Sequence, residues 1–190
     1  MITKEEYSVE FKSMFREYDI RGRVNKEEPC PENVYKIVKA YCKYLKRRNI
    51  TRAVCGYDNR ACSPAFAEAA VKALRECGID VFFTGLSLSP LVYFAQYYLK
   101  CEGAVMITAS HNPDGWSGFK LAKGYSKTLE PDDIKEVYSL LDTPDEPCAM
   151  GSYEEVNVRD AYIDDIVSRI HMGDKKLRVV LDAGNGGAGL

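Results

Sequence analysis

Residues 103–107 read Gly-Ala-Val-Met-Ile, an apolar run with no polar alternation. A strand with one wet face alternates polar and apolar side chains, so a run of this kind needs cover on both faces. Two further β-type runs, "AVCGY" (53–57) and "DVFFTG" (80–85), precede it, and helical patterns separate all three. From Pro31 to Asn49 the residues Val34, Ile37, Val38, Tyr41 and Leu45 recur at helical spacing. Ser63 with Pro64, and Ser89 with Pro90, read as N-caps followed by first-turn prolines that open the next two helices. Gly78 ends the first of these, and Gly103 releases the chain after the second. "GFKLA" (118–122) reads as a short returning strand, and "EPDDIKEVYSLL" (130–141) as a closing helix whose acidic first turn suits its dipole. Strands alternating with helices in this way predict an α/β fold, a three-layer αβα domain around a mixed, mostly parallel sheet.

At 190 residues the chain suits one whole domain and part of another. The stretch "DTPDEPCAMGS" (142–152) has two prolines, several acids and no periodicity, as a linker does. The boundary is expected near residue 150, giving one domain over 1–150 and an incomplete second α/β domain over 151–190. That second unit reads as "YEEVN", a helix "VRDAYIDDIVSRI" and a strand "LRVVLDA", too little to bury a core of its own. With 26 basic against 28 acidic side chains and no basic stripe interleaved with aromatics, the charge pattern argues against a nucleic-acid partner. No apolar run approaches the roughly 18 residues of a membrane span, and "MITKEEYSVEFK" lacks the apolar region of a signal peptide, so a cytoplasmic setting is expected. Seven cysteines without a C-x-x-C pair indicate neither a disulfide framework nor a thiolate zinc site.

Directly after the apolar run comes "TASHNPDGWSGFK" (108–120). In doubly covered sheets the reactive loops lie beyond the carboxyl ends of the strands, and Thr108 to Gly118 is such a loop. The hydroxyl of Ser110, with His111 beside it and Lys120 ten residues on, suits a nucleophile or a phosphoryl carrier. The same residues also suit a plainer reading, in which Thr108 and Ser110 cap the turn and His111 and Lys120 are solvated.

A second segment, "FREYDIRG" (15–22), sets an arginine against a glycine near the N-terminus. Together the two segments resemble the α-D-phosphohexomutases, the family of phosphomannomutase and phosphoglucomutase, which carry "T-A-S-H-N-P" around a phosphorylated serine and "Y-D-I-R-G" near the start. The resemblance runs along the whole chain and covers the family's first domain and the opening of its second. It implies interconversion of hexose 1-phosphate and hexose 6-phosphate through a bisphosphorylated sugar, with Ser110 as the phosphoserine and a sugar phosphate as the partner. It makes Lys120 the candidate general base, a role that calls for a lowered pKa. Arg21 and Tyr18 would face the phosphoryl group, and His111 and Asn112 would shape the loop and contact the same group or the substrate. It also implies Mg²⁺, bound to one oxygen of the Ser110 phosphate and to carboxylates of a "D-G-D-x-D-R" loop, which does not occur in residues 1–190.

"CGYDNRACSP" (55–64) resembles the family's "G-R-D-x-R-x-S", with Tyr57 where arginine is usual and Asp58 and Arg60 kept. A salt bridge steadying the serine loop is the role expected of that pair. "GNGGAG" (184–189) fits G-x-G-x-x-G after an expected strand, so a noncatalytic nucleotide-binding α/β module stands as the alternative from another class. Within the family, phosphoglucosamine mutase is the other option, although its serine loop usually ends differently from "SGFK".

Overall fold

The computed structural model describes residues 7–187. One six-stranded sheet organises them in the order β1-β5-β4-β2-β3-β6, with β1 at Ile20–Arg23, β2 at Arg52–Tyr57, β3 at Asp80–Leu86, β4 at Gly103–Ile107, β5 at Trp116–Lys123 and β6 at Tyr153–Glu155. The pairings of β4 with β2, β2 with β3 and β3 with β6 are parallel, whereas β5 runs antiparallel to both β4 and β1. The sheet is therefore mixed and mostly parallel, as expected.

Every residue of β4 is buried. Its Val105 and Ile107, with Ala53 and Cys55 of β2 and Phe119 and Leu121 of β5, pack against α2 (Pro31–Lys46), α3 (Ser63–Glu76) and α5 (Pro131–Ser139). The alternate residues Val54, Ala104, Met106 and Ala122 pack under α4 (Ser89–Tyr98) on the opposite face. Burying a side chain such as Val105 or Ile107 contributes about 1.5–3 kcal/mol, more than the roughly 1 kcal/mol net of a typical hydrogen bond. Polar chemistry is thereby excluded from the strand and confined to its end. Two short helices flank this layer arrangement, α1 (Val9–Ser13) and α6 (Arg159–Ser168), the latter touching α4 through Tyr162 against Phe94.

Several details differ from the sequence expectation. Ser63 is the first helical residue of α3 rather than its N-cap, because its hydroxyl is committed to Asp58 at 2.5 Å. Ser89 likewise lies inside α4, with Leu88 at the cap position. The segment expected as a linker is tethered: Asp145 pairs with Lys43 at 3.1 Å, and the Gly151 N–H donates to the Arg75 carbonyl at 2.8 Å. Residues 153–155, expected to open the second unit, instead form β6 on the β3 edge, so the boundary near 150 falls before a strand that the first sheet uses. "LRVVLDA" forms no strand, and Val180 and Leu181 are more than nine-tenths exposed. The glycine turn's last residues, 188 and 189, lie outside the described residues.

One contact sets where β1 sits. Gly118 of β5 faces Arg21 of β1, and a Cβ on Gly118 would lie 2.2 Å from the Ile20 carbonyl oxygen and 2.6 Å from Arg21 Cβ. Only a residue without a Cβ lets β1 approach this closely. Gly118→Ala is expected to lower the unfolding free energy by about 1–3 kcal/mol, the usual cost of overpacking. Urea denaturation checks this, and a variant as stable as the parent contradicts it.

Candidate functional site

The buried strand β4 ends at Ile107, and the chain emerges through Thr108 and Ala109 to Ser110, which is exposed. Ser110 adopts φ +56°, the left-handed region. For a residue with a Cβ this conformation costs about 1–2 kcal/mol, so the surroundings must hold it. Thr108 Oγ1 accepts the Ser110 N–H at 2.9 Å, and the Asn112 N–H donates to the Ala109 carbonyl at 3.1 Å. The Ser110 hydroxyl itself stays outside these bonds, with His111 Nδ1 3.2 Å away.

Arg60 does most of the holding. Its Nη2 donates to the Asn112 and Ser110 carbonyls at 2.6 and 3.3 Å, and its Nη1 to the Pro113 and Trp116 carbonyls at 2.9 and 3.2 Å. Its Nε donates to Asp58 Oδ2 at 3.2 Å. A guanidinium has five N–H donors, and here all are spent on the protein. Asp58 is fixed in turn by the Ser63 hydroxyl and by its own N–H, which donates to the Ile107 carbonyl at 3.0 Å. The pair from β2's end therefore clamps the loop from β4's end.

Arg21 is used differently. Its Nη1 donates to Asn112 Oδ1 at 2.6 Å, and its Nη2 forms an ion pair with Asp19. The other donors of its guanidinium make no bond among the described residues. Its side chain is largely covered, at 15% exposure, and burial together with the nearby Arg16 guanidinium lowers its pKa. A cation with donors to spare, bound to the loop that carries an exposed hydroxyl, suits an anionic group on that loop.

Lys120 is half-buried on β5, opposite Met106 of β4, and forms no hydrogen bond or ion pair among the described residues. By strand alternation it shares a face with Gly118, the partner of Arg21. Asn112 is half-buried and links Arg21 to Arg60 through its two oxygens. Tyr18 is 63% exposed and makes no hydrogen bond among the described residues. Sequence reasoning passed over Asp19, although its spacing of two from Arg21 next to a strand is the signal that puts both on one face. It also passed over Trp116, whose ring has the Arg16 and Arg23 guanidinium carbons 5.5 and 5.6 Å from its centroid.

No group of three or more His, Cys, Asp or Glu side chains among the described residues is arranged to hold a metal ion. Asp58 is committed to Arg60 and Ser63, whereas Asp114 lies in the loop itself, exposed and without a hydrogen bond among the described residues. A hard cation held by an oxygen of a group on Ser110 would therefore need further carboxylates to complete its shell. At the glycine turn, Gly184 and Asn185 have positive φ and the Gly184 N–H is taken by Asp182 at 2.8 Å. No α-helix begins at the turn among the described residues, although residue 187 opens a 3-10 turn. Nor is any described helix long and apolar enough to cross a membrane.

Known proteins resemble this chain in sequence and in fold. The family model described as "Phosphoglucomutase/phosphomannomutase, alpha/beta/alpha domain I" matches residues 12–147. A phosphomannomutase of Salmonella typhimurium is 37% identical over 181 residues, covering 92% of this chain and 39% of that protein. A phosphomannomutase/phosphoglucomutase of Pseudomonas putida is 36% identical over 178 residues, covering 94% of this chain and 38% of that protein. The crystal structure of a phosphoglucomutase/phosphomannomutase family protein from Burkholderia thailandensis superposes with a TM-score of 0.76 at 28% identity, covering 84% of this chain and 36% of that one. The chain spans less than two-fifths of the length of these relatives.

The clamp is testable by itself. Arg60→Ala strips four carbonyls of their donor and leaves Asp58 without its cation, and it is expected to cost about 2–3 kcal/mol of stability. Amide hydrogen exchange should quicken over residues 110–116 more than over β4. Uniform quickening along the chain, or none in the loop, contradicts the assignment.

Proposed function

This chain belongs to the phosphoglucomutase/phosphomannomutase family, and we propose that it is the phosphoryl-carrying part of a phosphohexomutase that interconverts hexose 1-phosphate and hexose 6-phosphate. In this reading the first domain extends past the boundary expected near 150 to include β6, and the residues after it begin a second. The observation that carries it is the exposed Ser110 hydroxyl after a wholly buried strand, in a loop whose Asn112 binds an arginine with unspent donors.

The chemistry follows from the charge that moves. In the first half-reaction the free hydroxyl of the sugar phosphate attacks the phosphorus of phosphoserine 110, the bond from phosphorus to Oγ breaks, and Oγ keeps the electron pair. Lys120 takes the proton released by the attacking hydroxyl, as general base. The product is a sugar bisphosphate, which turns over and returns its other phosphoryl group to Ser110. The loose transition state spreads negative charge over the phosphoryl oxygens, so prearranged donors around them lower the barrier. Arg21 supplies such donors, and His111 and Asn112 keep the loop and its group in register. Tyr18 is assigned to the substrate side, where its exposure leaves it available. Mg²⁺ would neutralise phosphoryl charge when bound, and this reading assigns to it the oxygen carried by Ser110. The charge of sugar phosphates keeps them inside cells, so this reading expects a cytoplasmic enzyme.

The full-length protein is expected to convert a hexose 1-phosphate to the 6-phosphate and to lose that activity in Ser110→Ala. Arg21→Ala should lower kcat by roughly 10²–10³-fold, the usual effect of removing one oxyanion donor. Residues 1–190 by themselves should read background in the same assay. An active Ser110→Ala enzyme, or turnover by the isolated chain, contradicts the proposal.

A further inference from the structure

Two of the seven cysteines meet where α2 packs on α3, away from the serine loop. Cys42, in the middle of α2, is fully buried, and its Sγ lies 3.9 Å from the Ala73 carbonyl oxygen on α3. The Cys77 backbone N–H donates to that same oxygen at 3.1 Å. One carbonyl thus has a cysteine on each side.

Cys77 is only 7% exposed, but it opens onto a cavity of about 510 Å³. Lys39, Lys43 and Lys46 line this cavity from α2, and Glu76, Asp145 and Glu146 line it from the other side. Asp145 pairs with Lys39 and Lys43, whereas Lys46 forms no ion pair among the described residues. The cavity therefore offers a cation to an anionic visitor beside a sulfur.

The other shifted thiols are inert by comparison. Burial raises Cys55 to about 12 and Cys101 to about 11, and it holds Cys42 well above the usual thiol range. Cys77 moves the other way, to about 7. Hydrogen bonding from Cys42 is the main cause and burial opposes it, while Lys39 and Lys46 favour the thiolate and Asp145 disfavours it. The thiolate is the reactive form of cysteine.

We propose that Cys77 is a thiol-modification site that reacts with small anionic disulfides of the glutathione class, and that Cys42 is its resolving partner. The Cys77 thiolate attacks one sulfur of the reagent, whose S–S bond breaks, and the second half leaves as a thiolate. The Cys42 sulfur then attacks the mixed disulfide at Cys77. The proton of Cys42 passes to the departing glutathione sulfur. Two protein thiols become one disulfide, and one small disulfide becomes two thiols. The product pins the end of α3 to the middle of α2. This inference stands on the α2–α3 interface alone and holds whatever the serine loop does.

The test incubates the full-length protein with glutathione disulfide near neutral pH, alkylates the remaining thiols and maps the peptides by mass. A Cys42–Cys77 link is expected. Cys42→Ser should stop with glutathione on Cys77, and Cys42→Ala should trap the same adduct if serine disturbs the core. Cys77→Ser should leave Cys42 reduced. Iodoacetamide labelling of Cys77 should rise through about pH 7. Cys148 supplies the contrary outcome, since its Sγ lies 3.4 Å from the Glu76 carbonyl at the end of the same helix. A Cys77–Cys148 link, glutathione on Cys148 in place of Cys77, or an unmodified Cys77 in folded protein overturns the proposal.

Discussion

A strand with no polar face governs this structure. All five residues of β4 are buried, and alternate side chains face α2, α3 and α5 on one side and α4 on the other. The hydrophobic gain from that double burial leaves no room for a functional group within the strand. Polar residues must therefore gather beyond its carboxyl end, where the backbone leaves the sheet and its carbonyls lose their ladder partners. Those carbonyls then need donors, and Arg60 provides them.

The two arginines near the loop illustrate how hydrogen-bond capacity separates structure from chemistry. Arg60 spends its whole guanidinium on four loop carbonyls and Asp58, so it has nothing left for a ligand. Arg21 makes one bond to Asn112 and one ion pair to Asp19, and it keeps the rest of its donors. Asn112 joins the two, offering its side-chain oxygen to Arg21 and its carbonyl to Arg60. Gly118 adds the steric condition, because β1 can carry Arg21 to this position only against a residue with no Cβ. Ser110 thus sits in a costly backbone conformation supported from three strands at once.

Much of this was legible in the sequence because the signals were periodic or punctuated. The apolar run at 103–107, the helical spacing from Val34 to Leu45 and the serine-proline pairs at 63–64 and 89–90 fixed the alternation of elements, although each serine lies one residue inside its helix. Ser110, Lys120 and Arg21 were legible by type and motif, and Asp58 with Arg60 by their pairing. The short strands were harder. Ile20–Arg23 and Tyr153–Glu155 have four and three residues, too few for a period, and they exist because a neighbouring edge accepts them. The converse holds for "LRVVLDA", which has the composition of a strand and pairs with none among the described residues. Local pattern reports propensity, whereas strand formation depends on a partner far away in the chain.

The account rests on a hydroxyl that carries phosphorus between visits of substrate. The most direct measurement is intact mass and peptide mapping of the full-length protein as purified from cells, before and after mixing with a hexose 1-phosphate. A fraction heavier by one phosphoryl group, with that group on Ser110 and exchanging with the added sugar, is the predicted result. A phosphoryl group on another residue, or one on Ser110 that never exchanges, contradicts it.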